Sequence, residues 1–306
     1  MSQKIGWIGT GVMGSSMCMH LLKAGNEAFV YNRTKTKADA LVAEGAVWCD
    51  SPAEVAQNAD IIFTIVGYPA DVEQTILGPN GVLANADSGK IIVDMTTSEP
   101  ALAERIAREA AAKGVEALDA PVSGGDVGAR EATLAIMAGG EKATFDKVRN
   151  LLDVMGDNVR YRGVAGAGQH TKMCNQILIA GNIVGAVESL FYAHKAGMDL
   201  NEVIDVIGTG AAASACINGL GRRIADGDFD PGFYIKHFVK DMGIALAEAR
   251  RMQISLPGLA LAHRFYVHAM DVGYENLGIQ ALYKVFTKMR YDFDPGSQGR
   301  KDNGPS

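Results

Sequence analysis

The residues of this chain whose types and spacing can do chemistry are a lysine, two amides, a serine followed by glycines, and a glycine-rich turn. Lys172 stands in the run Gly163-x-x-Gly166-x-Gly168-x-x-x-Lys172-x-x-Asn175-Gln176, inside an otherwise apolar stretch. On a helix it shares a face with Asn175 at i+3 and Gln176 at i+4. A lysine in such a setting is costly unless it is paired or functional, and its neighbours here are amides rather than carboxylates. Its chemistry would be that of a general acid/base. A second segment, Asp119-Ala-Pro-Val-Ser123-Gly124-Gly125, follows an apolar run. Small residues after a strand leave backbone N–H groups and a hydroxyl uncovered, which suits a carboxylate.

The glycine-rich turn is Gly9-Thr10-Gly11-Val12-Met13-Gly14. The spacing alone is a weak signal, but it follows the apolar run KIGWIG and opens an amphipathic stretch. In that context Gly9 permits the tight turn, Gly11 lets a pyrophosphate approach the backbone, and Gly14 lets the helix pack close to the strand. The helix N-terminus offers N–H groups and partial positive charge to phosphates, so the segment reads as a dinucleotide-binding loop. About 20 residues on, where an Asp or Glu reads the ribose of NAD, the chain has Asn32-Arg33-Thr34, with Lys35 and Lys37 behind. A carboxylate would repel a 2′-phosphate, whereas Arg33 can pair with it and Asn32 and Thr34 add neutral donors. NADP is therefore favoured, with NAD left open.

These residues need elements to position them. Strand-like runs at 4–9, 27–31, 60–66, 90–95, 115–118, 134–138 and 157–161 alternate with helical patterns at 11–24, 35–44, 52–58, 70–77, 99–113 and 141–155. Runs such as IIFTIV are apolar at successive positions, which suits strands covered on both faces. The first half thus reads as an α/β Rossmann-type domain with a doubly wound parallel sheet over residues 1–163. From about residue 165 no convincing strand occurs. Residues 169–196 form one long helical stretch of about 40 Å, ending at Gly197. Further helices are expected near 199–208, 238–253, 257–273 and 278–290. The expected division is a dinucleotide-binding domain at 1–163, an all-helical substrate and oligomerisation domain at 164–292, and a flexible tail at 293–306.

Composition narrows the function classes. The 306 residues are 48% hydrophobic and 21% charged, which excludes global disorder, and the net charge of −6 without a basic stripe disfavours nucleic acid as a partner. No apolar run reaches the ~18 residues of a membrane span. The N-terminus enters structure at once, and the four cysteines, among them Cys174, are far apart, which fits a reducing cytoplasm. The six histidines are scattered, so no metal site is expected. Cys174, beside Asn175, reads as a small packed hydrophobe.

The segments taken together resemble the β-hydroxyacid dehydrogenase family, which includes 3-hydroxyisobutyrate dehydrogenase and the tartronate semialdehyde and glyoxylate/succinic semialdehyde reductases. The resemblance covers residues 3 to 292. It rests on the GxGxxG, the segment Asp94-Met-Thr-Thr97-Ser-Glu-Pro100, the DAPVSGG stretch, the GxxGxGxxxK run and Lys240-Asp241, in that order. It implies that Lys172 is the catalytic acid/base and that Ser123, Gly124 and Gly125 cradle the substrate carboxylate. Asn175 or Gln176 would touch the substrate, since several members carry Asn where this chain has Gln176. By the same resemblance Pro69 and Thr97 line the cofactor site, Lys240 reaches the cofactor from the helical domain, and the protein is a homodimer or homotetramer. The implied activity is NAD(P)-dependent interconversion of a small β-hydroxy acid and its semialdehyde. Two alternatives remain: an imine reductase, which should lack the lysine at 172, and a non-catalytic dinucleotide-binding module, which has no use for both Ser123-Gly-Gly and Lys172.

Overall fold

The structure is a computed structural model that describes residues 2–288. By its internal packing the chain divides into two compact units, Met1–Lys172 and a second beginning at Met173. The division falls inside one continuous helix, a few residues beyond the glycine-rich segment.

The first unit alternates strands and helices: β1 (Lys4–Ile8), α1 (Val12–Lys23), β2 (Glu27–Tyr31), α2 (Asp39–Ala43), β3 (Val47–Trp48), α3 (Pro52–Asn58), β4 (Ile61–Thr64), α4 (Pro69–Leu77), α5 (Val82–Asn85) and β5 (Ile91–Asp94). It continues with α6 (Pro100–Ala111), β6 (Glu116–Asp119), β7 (Val122–Ser123), α7 (Gly125–Glu131), β8 (Ala135–Gly140), α8 (Lys142–Leu152) and β9 (Asn158–Gly163). The strands form one sheet in the order β3-β2-β1-β4-β5-β6-β8-β7, with β9 on β8. Strands β3 through β6 are parallel, and the chain reverses its direction of progress between β1 and β4. A crevice at the carboxyl ends of a parallel sheet opens at such a reversal.

The two-sided apolar reading of the central strands holds residue by residue. Ile61 and Phe63 enter one core with Trp7, Leu21 and Val93, while Ile62 enters the opposite core with Val55, Ile76 and Ile92. Successive side chains point to opposite faces of a strand, so a continuous apolar run buries both. Trp7 and Phe63 are register partners on neighbouring strands, and their rings stack at 5.4 Å.

The sheet departs from the all-parallel expectation at its far edge, where β8 runs antiparallel to β6 and β7. Parallel pairing needs a crossover of a dozen or more residues, and the short α7 between β7 and β8 is too little chain for one. The two-residue strands β3 and β7 and the short helices α5 and α7 carry too few residues to show a period, and the sequence reading passed over them.

The second unit is helical: α9 (Ala167–Lys195) crosses into it from the first, followed by α10 (Leu200–Ile207), α11 (Gly221–Ala225), α12 (Ile235–Arg251), α13 (Pro257–Asp271) and α14 (Leu282–Phe286). A π-helical turn at Cys216–Leu220 precedes α11 and was not expected. Its core gathers Ala180, Ile183, Val187 and Leu190 of α9 around Phe238 and Met242 of α12 and Tyr266 of α13. The expected helix at 278–290 is a short 3₁₀ turn and α14 up to Phe286, and its last residues, like the tail at 293–306, lie outside the described residues.

Two expectations are corrected here. Helix α9 is, by length and composition alone, apolar enough to cross a membrane. The sequence reading missed this because polar residues such as Gln169, Lys172, Asn175 and Gln176 interrupt the run; one face of α9, including Ala180, Ile183, Val187 and Leu190, packs in the core of the second unit. Cys174 is exposed rather than packed, because the helical phase sets it on the same open stripe as Leu178 and Tyr192.

Strands β5 and β6 end on a pair of buried carboxylates, Asp94 and Asp119, which are register partners. Asp94 Oδ1 accepts from Thr64 Oγ1 at 2.7 Å and from the Thr96 N–H at 3.1 Å. Burial pushes its carboxyl up from an ordinary 3.8 to about 6; the hydrogen bonds from Thr96 and Thr64 oppose this, and the neighbouring Asp119 adds a smaller upward push. A raised carboxyl binds its proton more tightly in the folded state, so its contribution to stability is full below pH 4 and is lost as pH rises through about 6. Asp94→Asn, which cannot ionise, should therefore gain stability relative to the parent as pH rises from 4 to 7, by about 3 kcal/mol at about 1.4 kcal/mol per tenfold change in proton affinity. Urea unfolding of both proteins across this range checks it; a pH-independent difference refutes it.

Candidate functional site

The first unit carries the glycine loop between β1 and α1, at the carboxyl edge of the sheet where the strand order reverses. Its three glycines are required for different reasons. Gly9 has φ +102, and its N–H donates to the Tyr31 carbonyl at 3.0 Å. Its own carbonyl accepts from the Trp7 indole at 3.0 Å. A Cβ on Gly14 would overlap that same carbonyl, so Gly14 is the condition for α1 to start so close to β1. A Cβ on Gly11 would meet nothing within 4 Å: that face of the loop is open. Gly11 is the N-cap of α1 and offers no side chain to its first turn, while the buried Thr10 hydroxyl has no hydrogen-bond partner. An open backbone, an uncapped helix start and an orphaned hydroxyl together fit a pyrophosphate. Val12 is exposed at the first turn, and Met13 packs against the core under the helix.

At the end of β2 the Asn32 side chain holds the loop itself. Its Oδ1 accepts from the Thr10 N–H at 3.1 Å, and its Nδ2 donates to the Thr34 carbonyl at 2.9 Å. Thr34 and Arg33 are exposed. The Arg33 guanidinium pairs with Asp71 at 2.9 Å, and Asp71 also accepts from the Tyr68 N–H at 3.1 Å at the start of α4. Sequence reading missed Asp71; the local signal was its place at the third helical position after Tyr68, a capping position. Pro69 is the first residue of α4, half-buried beside this pair.

Thr97 lies in the loop after β5, half-buried between Thr96 and Ser98. Ser123 ends β7, and the exposed Gly124 and Gly125 follow with φ +130 and +64. That conformation is open to glycine and strained for other residues, and it leaves the backbone of the turn uncovered. Lys172 sits in the second turn of α9 and is only 6% exposed. It belongs to the same unit as the glycine loop, Thr97 and the Ser123 turn.

In the second unit, Gln176 is 1% exposed and fully engaged: Oε1 accepts from Asn175 Nδ2 at 2.7 Å, and Nε2 donates to Asp241 Oδ2 at 2.6 Å. Lys240 Nζ lies 3.0 Å from the other oxygen of Asp241. Gln176 thus ties α9 to α12 through a buried carboxylate that also carries Lys240. Burial and the cations Lys240 and Lys236 hold His237 below the usual imidazole range. Among the described residues no cluster of three or more His, Cys, Asp or Glu could hold a metal ion.

A parallel strand order reversing at a glycine loop, with an open backbone at an uncapped helix start, defines a dinucleotide-binding fold. The comparisons with known proteins agree. Residues 4–163 match the family model for the NAD binding domain of 6-phosphogluconate dehydrogenase, and residues 166–286 match that for the NAD-binding region of NADP-dependent 3-hydroxyisobutyrate dehydrogenase. The chain is 52% identical over 287 residues to the probable 3-hydroxyisobutyrate dehydrogenase-like 1, mitochondrial, of Arabidopsis thaliana, covering 94% of this chain and 86% of the relative. It is 37% identical over 286 residues to the 2-hydroxy-3-oxopropionate reductase of Escherichia coli, covering 94% and 98%. The solved structure of Mycobacterium tuberculosis 3-hydroxyisobutyrate dehydrogenase with L-serine matches at a TM-score of 0.85 and 28% identity, over 94% of this chain and 99% of that one. The chain belongs to the β-hydroxyacid dehydrogenase family, and it is an NAD(P)-dependent oxidoreductase.

The glycine geometry sets a clear contrast. Gly11→Ala should leave the melting temperature within about 2 °C of the parent and weaken dinucleotide binding by about 10-fold, because the new methyl occupies only the open face. Gly14→Ala should lose several degrees of melting temperature before any ligand is added. Thermal melts and dinucleotide titration by nicotinamide fluorescence check both; equal melting losses would contradict the assignment.

Proposed function

We propose that this protein interconverts a small β-hydroxy acid and its semialdehyde, with NADP as the preferred dinucleotide and Lys172 as general acid/base. The observation that carries the reading is a lysine 6% exposed in the unit that also holds the glycine loop and the Ser123-Gly124-Gly125 turn. The names of three relatives, each for a small hydroxy acid or its oxo form, support the substrate class.

When bound, the reduced nicotinamide supplies a hydride to the aldehyde carbon. The chain's own residues do the rest. Ser123, Gly124 and Gly125 hold the substrate carboxylate through the hydroxyl and the uncovered backbone. The Lys172 ammonium faces the carbonyl oxygen, stabilises the charge that develops there and gives up its proton to it. In the oxidative direction the neutral amine takes the proton from the hydroxyl. The ammonium supplies the positive charge that a Lewis-acidic metal supplies in other dehydrogenases. For the dinucleotide, the exposed Arg33 is the residue suited to a 2′-phosphate, and Thr34 beside it adds a hydroxyl. Asn32 contributes by fixing the loop.

A homo-oligomer belongs to the same reading. It is supported by the open stripe of α9, where Leu178 is 65% and Tyr192 75% exposed in the single chain. The four cysteines are free, which suits a reducing compartment such as the cytoplasm. A small carboxylate is the partner, and the net charge of −6 suits neither nucleic acid nor an anionic membrane surface.

The test is NADPH oxidation with glyoxylate, succinic semialdehyde and tartronate semialdehyde, with a cyclic imine as the competing substrate. Aldehyde-dependent turnover is expected, and Lys172→Ala should lower it by at least about 100-fold. Full activity in that variant, or turnover of the imine alone, would sink the reading. For the cofactor, kcat/KM should be higher with NADPH than NADH in the parent, and Arg33→Asp should narrow or reverse the gap. A parent with equal efficiencies would remove the cofactor assignment.

A further inference from the structure

Helix α9 begins at Ala167, which makes Gly166 its N-cap and Gln169 its third residue. A glycine at the N-cap has no side chain to satisfy the helix's first N–H groups. The carboxylate of Asp119, at the end of β6, does this from a distance. One oxygen accepts from the Gly166 N–H at 2.8 Å, and the other accepts from the Gln169 N–H at 2.8 Å. These are the two donors that a capping box satisfies with local side chains. The fit is tight: a Cβ on Gly168 would lie 2.7 Å from the Asp119 carboxylate, and one on Gly139 would lie 2.6 Å from it. Asp119 is 3% exposed, and its charge complements the positive end of a 29-residue helix.

With the N-cap donor already satisfied, the Gln169 side chain is released for another task. It is fully buried; its Nε2 donates to the Thr96 carbonyl at 2.7 Å, and its Oε1 accepts from the Ser98 N–H at 3.0 Å. The first turn of α9 is thereby fastened at two points. One is the strand that runs on, four residues later, into Ser123, and the other is the loop that holds Thr97. Lys172 follows Gln169 by three residues on the same helix. All of these groups lie in the first unit.

We propose that Asp119 and Gln169 are positioning residues: Asp119 caps the start of α9 from the end of β6, Gln169 ties its first turn to the Thr97 loop, and together they fix Lys172 relative to the Ser123-Gly124-Gly125 turn and that loop. This inference rests on Lys172 being the proton donor of the proposed reaction. A misplacement of about 1 Å in such a constellation costs about 100-fold in rate.

The experiment measures single-turnover hydride transfer by stopped flow, with enzyme in excess of NADPH and saturating with the aldehyde best used by the parent. Rates are expressed per site that binds NADPH, so that a poorly folded fraction does not enter. Asp119→Ala should transfer hydride about 100-fold more slowly than the parent, and Gln169→Leu about 10-fold more slowly, with NADPH affinity within about 3-fold in both. Asp119→Asn, which keeps one acceptor oxygen, should recover part of the Asp119→Ala loss. Where Asp119→Ala does not fold, Gln169→Leu decides, since it removes only two bonds to backbone groups. A folded Gln169→Leu protein that binds NADPH and transfers hydride within about 3-fold of the parent rate overturns the inference and leaves the proposed reaction standing. A parent with no aldehyde-dependent NADPH oxidation overturns both.

Discussion

The junction between the end of β6 and the start of α9 is the contact on which the rest of the first unit's site depends. A long helix that begins at a glycine, packed against a strand, would bury N–H groups with nothing to receive them. An unsatisfied buried donor costs about 1–3 kcal/mol. The Asp119 carboxylate removes that cost at Gly166 and Gln169 together. It does so at its own expense: burial raises its carboxyl above the usual range even though backbone donors pull it down. A second carboxylate, Asp94, sits beside it in register and is itself raised by burial. Two buried acids at adjacent strand ends make a poor device for stability alone. They become intelligible as the anchors of two loops and one helix that must hold fixed places.

The same economy runs through the glycines. Gly9, Gly14 and Gly168 are each pressed against backbone or carboxylate, so their absence of a side chain is a packing requirement. Gly11 is different, because nothing lies where its Cβ would be. Gly124 and Gly125 are different again, being held at positive φ in an exposed turn. A tight contact explains a glycine without reference to a ligand, whereas open space over an uncapped helix start does not. Of the three glycines of the loop, Gly11 is therefore the one for which packing gives no reason and a phosphate does.

This distinction also marks how far the sequence was legible. The strand–helix alternation, the glycine loop and the helical second half could be read because each depends on residues near one another in the chain. Apolar runs such as IIFTIV carry their two-sided burial in the run itself. Other features depend on partners far apart and left no local pattern. Asp119 was visible as part of DAPVSGG, but its role as a helix cap was not, because its donors lie 47 and 50 residues away. Gln169 likewise meets Ser98 and Thr96 across 71 and 73 residues. The bond from Gln176 to Asp241 spans 65 residues and left no local pattern either. The antiparallel β8 and the exposure of Cys174 were hidden for a related reason: strand direction and helical phase are set by what each element packs against.

Arg33 shows how a surface pair bears on specificity. Its side chain is 78% exposed, and its partner Asp71 is tied to the Tyr68 N–H at the head of α4. An exposed ion pair contributes about 0–1 kcal/mol, so Asp71 does not compete strongly with a phosphate that carries nearly two charges. It does bias where the guanidinium rests, at the edge of the loop that Asn32 braces. An unanchored arginine at the end of β2 would have to surrender the rotamer freedom of a long side chain on binding, a loss of up to about 2 kcal/mol. Asp71 takes part of that loss beforehand and is itself held in place by the helix start it caps. On the proposed reading, cofactor preference is therefore set by the balance between the Arg33 cation, held ready by a neighbouring helix, and the Asp71 carboxylate that repels the phosphate it would receive, and not by the charge at position 33 alone.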